Sequence, residues 1–376
     1  MNIIYLATLI FGLICIIATT VYLYFLIRRF TKKFDEHIKN KLLRTILPIS
    51  IASIIIGLII VYNPFVLFVI YFLMASIPID IIHFFIHKFA NNSSTPVKVW
   101  TVIHTALIIP LLFSTGMMVY GHINIMNVEP TYYTISTNKD IRKDGYRICL
   151  IADLHFGSSI DSNELNIVCS EISKQNPDIV ILCGDIVDES TSYKKMTEAF
   201  KALGQIDTTI GNYFVYGNHD CQTYVPTPSF TEEQLAQTIA ENNITILEDE
   251  FININDDLIL IGRVDASFSR NSNRTSIQQL LSEVDKDDYI VVLDHQPTEY
   301  SENSQAGTDL LLSGHTHAGQ FWPLNIVLDI IPFNDGVYGL DKINNMNAII
   351  TSGVSGWAFP FKTSAPAEYV IIDIKP

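Results

Sequence analysis

Charge is absent from three long stretches of this 376-residue chain: residues 2–27, 45–79 and 99–128 hold no Asp, Glu, Lys or Arg. Such runs exclude a chain that is water-soluble throughout, since about 20 apolar residues cross a bilayer core of roughly 30 Å. Basic residues are scarce as well, 24 against 39 acids. Nine of the basic residues and only three acids fall in residues 1–128, a balance of +6, so the net −15 of the whole chain leaves −21 on the rest. A surface that acidic excludes a nucleic-acid partner, because a phosphate backbone needs a positive face. Cysteine is sparse, five residues with no CxxC, which removes the usual zinc-ribbon and disulfide frameworks. Cys149 and Cys183 lie inside apolar runs and read as packed free thiols.

What is present divides the chain in two. A basic, apolar first third precedes an acidic remainder, which predicts a transmembrane domain over 1–128 joined by a linker, 129–145, to a water-soluble domain over 146–376. Arg28-Arg29 follow the first apolar run instead of preceding it, which favours an uncleaved helix over a cleavable signal peptide. The 35 uncharged residues from 45 to 79 are too many for one span, and Asn63-Pro64 interrupts them. The expected spans are therefore four, near 3–27, 45–62, 65–86 and 99–120. Seven Lys/Arg in 28–44 place that loop in the cytoplasm, and four spans then put the soluble domain outside. Asp80, His83 and His87 share one helix face, with His104 on the next span. They read either as an intramembrane site or as paired, hydrated groups near the interface, and the second reading is preferred.

Beyond residue 145 apolar strands alternate with amphipathic helices. Strands are expected at 147–152, 178–183, 213–216, 258–261, 289–293 and 309–312, with a last strand pair at 347–351 and 368–374. Helices are expected at 161–175, 191–203 and 231–242. Five of the strands are followed at once by ligand-type residues: Asp153 and His155, Asp185, Asn218 with His219 and Asp220, His295, and His315 with His317. In layered α/β folds, the carboxyl ends of strands are where ligands bind, and Gly184, Gly217 and Gly314 permit the sharp turns there.

Carboxylate, imidazole and amide oxygen together suit a borderline divalent ion such as Mn, Fe or Zn. Seven candidates, Asp153, His155, Asp185, Asn218, His295, His315 and His317, are too many for one tetrahedral site. They fit two ions sharing a carboxylate, the arrangement that clamps both oxygens of a phosphoryl displacement. His219 can then protonate the leaving oxygen, with Asp220 orienting its imidazole. Asp188, in GDIVD, reads as a cap or as a support for a ligand. Trp322 and Trp357 could line a substrate groove or sit at a membrane surface.

The blocks DLH at 153–155, GD at 184–185, GNHD at 217–220, His295 and GHTH at 314–317 resemble the calcineurin-like metallophosphoesterases, in family order over about residues 146–376. The flanks GDIVD, LLLSGHTHAGQ and SGVSGWAFPFKTSAPAE look like the bacterial membrane-associated, phosphodiesterase-type branch, which more often has Gly where Ala318 stands and Arg near Lys362. The resemblance implies a four-layer α/β/β/α sandwich behind an all-α transmembrane domain of about four helices. It assigns one ion to Asp153, His155, Asp185 and His317 and the other to Asp185, Asn218, His295 and His315, with Asp185 as the bridge. His219 becomes the leaving-group acid or a transition-state stabiliser; Lys362, near the position where that branch more often has Arg, is only a candidate phosphate contact.

The function expected is a membrane-anchored phosphoesterase, diesters preferred, in which a hydroxide bridging two divalent metals, Mn favoured, attacks the ester. Its partners are the lipid bilayer and a phosphorylated, lipid-linked or envelope substrate, and the catalytic domain lies outside the bacterial cell membrane. Two alternatives belong to other classes. A metal-binding receptor without turnover needs a missing ligand or acid. A transporter with a regulatory soluble domain needs flux that depends on Asp80 and not on Asp185. The oligomeric state and the substrate itself are not legible in the sequence.

Overall fold

The computed structural model describes residues 19–376 apart from 36, 39, 62–63, 268–273 and 332. Most of the expected first span and the turn at Tyr62-Asn63 lie outside the described residues. The chain forms two compact units, Met1–Val119 and Tyr120–Pro376.

The first unit is helical: α1 over described residues 19–31, α2 Lys41–Val61, α3 Phe65–Phe89, α4 Thr95–Thr105 and the start of α5, Ile108–Met126. Among the described residues two helices are long and apolar enough to cross a membrane, α3 and α5. α3 turns Ile77, Ile81, Ile82, Phe84 and Phe85 outward, each at least 45% exposed. That inverts the pattern of a soluble core helix and is what hydrocarbon in place of water allows. The uncharged run after residue 98 is not one helix as expected. It breaks at Leu107, whose φ is 58°. Pro110 explains the break, because its ring displaces the carbonyl four residues back, at Ala106, and it has no N–H to offer it.

Asp80 lies within a paired polar cluster. It accepts from Tyr22 Oη at 2.8 Å, lies 2.8 Å from His104 Nε2 and pairs with Arg29. His83 stacks on His104 with ring centroids 3.6 Å apart, and His87 Nε2 meets Thr101 Oγ1 at 2.9 Å. The carboxylate is thus neutralised and fully hydrogen-bonded, the condition under which an ionisable group is tolerated among apolar helices.

The second unit is built on two six-stranded sheets. The first has the order β1-β12-β2-β3-β4-β5: Val128–Ser136, Ala367–Lys375, Tyr146–Ile151, Ile179–Cys183, Gly211–Val215 and Ile244–Ile246. The second has the order β10-β11-β9-β8-β7-β6: Gly339–Ile343, Met346–Ile350, Leu310–Ser313, Tyr289–Leu293, Leu258–Gly262 and Glu250–Ile254. One core lies between them, with Ile148, Leu150, Ile181 and Val215 from the first sheet packed with Leu260, Val291, Leu293, Leu312 and Ile349 from the second. The outer face of the first sheet carries α6 Ser162–Lys174, α7 Tyr193–Leu203 and α8 Glu232–Glu241. That of the second carries α9 Ile277–Leu280 and α10 Tyr300–Ala306. Strands β2, β3 and β8 bury both faces, which is why they read as unbroken apolar runs and not as alternation. Helix α6 starts where Asp161 and Glu164 form a capping box, and it buries Leu165, Cys169 and Ile172 at helical spacing.

Two expectations are corrected here. The segment 129–145 is not a free linker, since its first half is β1, paired in parallel with β12 from Val128↔Ala367 to Ser136↔Lys375. Pro130 argues against a strand in sequence, but β1 is an edge strand, where a missing N–H costs no ladder bond. The final two strands are not a pair. Met346–Ile350 joins β9 and β10, whereas Ala367–Lys375 sits between β1 and β2 in the other sheet.

Candidate metal centre

The parallel strands β2, β3, β4, β8 and β9 end side by side, and the loops beyond them bring the sequence-predicted ligands together. Ligand atoms of Asp153, His155 and His317 lie within 4.8 Å of one another, and so do those of Asp185, His295 and His315. One oxygen, Asp185 Oδ2, lies between the two groups, 3.2 Å from His295 Nε2 and 3.8 Å from His155 Nε2. His317 Nε2 is 3.2 Å from His155 Nε2 and 3.7 Å from Asp153 Oδ1. All these side chains are buried except that of His315, which is half-buried.

The backbone bends hard to do this. Asp153, His155, Asp185, His315 and His317 all have positive φ, between 41° and 72°. Each such conformation costs roughly 1–3 kcal/mol in a non-glycine residue and survives only where surrounding structure enforces it. Enforcement is visible. His155 N donates to Asp185 O at 3.0 Å, His219 N to Asp185 Oδ1 at 2.9 Å, and His315 N to Asp153 Oδ2 at 2.9 Å. His295 Nδ1 is tied to Cys183 O at 2.8 Å, which fixes the ring and leaves Nε2 for the site. A Cβ on Gly217 would stand 2.3 Å from Asp185 Oδ1, and one on Gly314 would stand 2.7 Å from Asp153 Oδ2. Both positions need glycine.

Charge explains the titration. Burial would raise the Asp185 carboxyl, but His295 and His155 beside it hold it far below the usual range. Burial and the neighbouring Asp185 push Asp153 up to about 6, against the pull of His295. Burial depresses His317 and His315, and the neighbouring imidazoles add to that. Two carboxylates and four imidazoles converge here in two groups of ligand atoms, a donor set suited to divalent ions. The donors are oxygen and nitrogen with no thiolate, and the buried Asn218 Oδ1 has no hydrogen-bond partner. The residues present therefore fit divalent metal ions.

Two sequence-based roles change and a third is narrowed. Asp220 does not orient His219. Its buried carboxylate accepts the backbone N–H groups of Asp185 (2.8 Å), Ile186 (2.9 Å), Val187 (3.1 Å) and Gly217 (2.7 Å). It shapes the turn that carries Asp185. The partner of His219 is Glu189, whose Oε2 lies 2.7 Å from Nδ1. A lone Glu after GDIVD gave no signal in the sequence. Lys362 is not a phosphate contact, because it is fully buried. Its Nζ donates to the carbonyls of Ser352, Gly353 (2.8 Å) and Ser355 (3.4 Å), so no proton faces a substrate. Burial lowers its ammonium to about 7, opposed by Glu368. Asp188 supports a ligand and does not cap the following helix: its Oδ2 lies 3.4 Å from His155 Nδ1, its Oδ1 accepts from Ser190 N at 2.8 Å, and the cap of α7 is Ser192.

The site opens into two cavities that meet at His219 and Trp357. One, of about 780 Å³, is lined by Glu189, Asn218, Tyr224 and Trp357. The other, of about 390 Å³, runs from Asp185, His315 and His317 to Phe321, Leu324, Leu328 and Phe359. His219 lies 5.4 Å from the Trp357 ring and 5.1 Å from the Tyr224 ring.

Comparison with known proteins agrees with this geometry. The family described as calcineurin-like phosphoesterase matches residues 146–319. A transmembrane protein with metallophosphoesterase domain from Danio rerio is 26% identical over 286 residues, covering 71% of this chain and 62% of the relative. An uncharacterized metallophosphoesterase of Helicobacter pylori is 27% identical over 233 residues, covering 61% of this chain and 60% of the relative. The chain thus spans about three fifths of the length of these two relatives. Among solved structures, a dimetal phosphatase from Danio rerio aligns with a TM-score of 0.39 at 11% identity, over 60% of this chain and 90% of that one. With their ordered ligand blocks at strand ends, residues 146–319 form a domain that matches the calcineurin-like phosphoesterases.

Proposed function

We propose that this protein is a membrane-anchored phosphoesterase that uses two divalent metal ions and prefers phosphodiesters. The observation that carries this is the position of Asp185 Oδ2 between two sets of ligand atoms, 3.2 Å from His295 and 3.8 Å from His155. Asp153, His155, Asp185 and His317 would hold one ion, and Asp185, Asn218, His295 and His315 the other. When bound, such ions neutralise the ester's charge and activate the attacking water. Helices outside both sheets support the four-layer sandwich expected of this family.

The chain's own residues do the rest. Glu189 accepts from His219 Nδ1, which stabilises the charged imidazole and leaves Nε2 to donate a proton to the leaving oxygen. Tyr224 and Trp357 flank that imidazole and make the walls of the larger cavity. The room around the site favours an ester with substituents on both sides of phosphorus. Mn is the favoured ion, on donor chemistry alone. The basic loop 28–44 supports a catalytic domain outside the membrane.

The test uses full-length protein in detergent. Wild type should hold two ions per chain by elemental analysis and hydrolyse bis-p-nitrophenyl phosphate with added Mn. Asp185→Asn should lose both metals' occupancy and at least about a hundredfold in rate, since both ion sites share this ligand. Full metal content and full rate in that variant would refute the reading.

A further inference from the structure

The described residues of the stretch 322–333 follow directly from the last ligand block and expose an apolar surface that the proposed chemistry does not use. Helix α11 (Leu324–Ile330) buries none of its residues. Trp322, Leu324, Ile326, Val327, Ile330, Ile331 and Phe333 are exposed, Ile330 by 73% and Phe333 by 82%. Asp329 is the one charged residue among these twelve positions. A continuous apolar patch of this kind on a domain surface marks a surface that meets something apolar.

What covers it is indicated by its neighbours within the same unit. Gln320 Nε2 donates to the carbonyls of Trp357 (3.2 Å), Phe359 (3.3 Å) and Phe361 (3.1 Å), and Trp322 N donates to Thr363 Oγ1 at 2.9 Å. These bonds fasten the start of the apolar segment to the loop 357–365. The other side of that loop holds the last turns of α5. Asn124 Nδ2 donates to Lys362 O at 2.8 Å and Ala365 O at 2.7 Å, and His122 lies 5.9 Å from the Phe361 ring. α5 is an apolar helix of spanning length whose surface is still exposed and apolar at Tyr120, Ile123 and Met126. One short loop therefore binds the end of a candidate span on one side and an exposed apolar segment on the other.

We propose that the segment 322–333 lies in the surface of the bilayer that α5 crosses, so that the metal centre draws a lipid-borne phosphoester from that surface. Bilayer-surface segments carry Trp, Phe and Leu on the buried side and few charges there. The path from surface to site is short. Leu324 and Leu328 of α11 line the same cavity as Asp185, His315 and His317, together with Phe321 and Phe359. An acyl or isoprenoid chain lies along those side chains while the phosphate reaches the ligands. The substrate class rests on the phosphoesterase reading; the surface insertion does not.

Two measurements on the full chain separate these. In vesicles of equal parts phosphatidylcholine and phosphatidylglycerol, a dansyl amino acid placed at Phe333 should be quenched by doxyl-labelled lipid, and the same probe at Lys174 on α6 should not. An unquenched probe at 333 overturns the surface insertion, and a protein partner then remains to cover the patch. The second measurement is I330D with F333D, two exposed positions outside the cavity. This variant should hydrolyse soluble bis-p-nitrophenyl phosphate as wild type does. It should lose about tenfold or more on an oleyl nitrophenyl phosphodiester held in those vesicles. Equal wild-type rates on both substrates in the variant overturn the lipid-borne substrate. Wild type that hydrolyses neither substrate refutes the phosphoesterase reading, while quenching still decides the insertion.

Discussion

Replacing Asp220 by asparagine tests the reassignment of that residue most directly. If Asp220 oriented His219, Asp220→Asn would slow catalysis and leave the fold intact. Its carboxylate instead accepts four backbone N–H groups, two on each oxygen: Asp185 and Gly217 on Oδ2, Ile186 and Val187 on Oδ1. An amide keeps one accepting oxygen and turns an NH2 toward the other pair. Two bonds to a charged group are lost at about 1.5–3 kcal/mol each, or about 3–6 kcal/mol together. One effect opposes this. Burial and the charge of Asp185 push the Asp220 carboxyl up to about 7, so a neutral side chain relieves some repulsion. The lower figure, about 3 kcal/mol, is therefore expected. For a unit of this size that is a fall in Tm of about 6–12 °C. The assay is thermal unfolding of the full chain in detergent with saturating metal, read by tryptophan fluorescence. A variant melting within about 2 °C of wild type yet slowed in hydrolysis would refute the structural role and restore the orienting one.

Three further outcomes follow from the same geometry. Glu189→Gln should lower kcat by about 10–100-fold with little change in Tm or metal content, because it weakens only the support of the His219 imidazolium; an unchanged kcat would remove Glu189 from the reaction. Gly217→Ala places a Cβ 2.3 Å from Asp185 Oδ1, so elemental analysis should show both ions lost while circular dichroism keeps its wild-type shape. Lys362→Met leaves the carbonyls of Ser352, Gly353 and Ser355 without their donor and should cost about 2–4 kcal/mol. The loss should appear as faster hydrogen exchange across 352–355, whereas a pure rise in KM would support a phosphate contact.

The ligands were legible because their signal is local. All of them stand within a few residues of the end of an apolar strand, and a parallel sheet brings such positions together whatever the loops do. Asp220 was misjudged and Glu189 missed because a side chain's target depends on the direction in which the backbone carries it. Sequence adjacency put Asp220 beside His219, but its oxygens point back to the turn of Asp185. Lys362 was misread for a related reason, since a lysine near a phosphate site carries no mark of whether its ammonium is already bonded to carbonyls. β1 was hidden by Pro130, which rules out a central strand and leaves an edge strand open. The break at Leu107 lies three residues before the proline that causes it, in a run whose composition changes nowhere. Glycines before the ligands, by contrast, were read correctly as tight turns, since no other residue fits there.

The strand order β1-β12-β2 has a consequence for how the protein is made. β1 emerges directly after α5, yet its neighbour in the sheet is β12, and Val128 pairs with Ala367, some 239 residues later. During synthesis the segment next to α5 has no partner while the intervening strands assemble around β2, β3 and β4. The sheet's edge is sealed only when β12 slots between β1 and β2, a late closure of very long range and correspondingly slow. Until then the hydrogen-bonding edge of β2 that β12 pairs with stays open, so arrested or truncated chains should be removed by proteases as unfinished. A complete β12 thus acts as the latch that joins the start of this unit to its end.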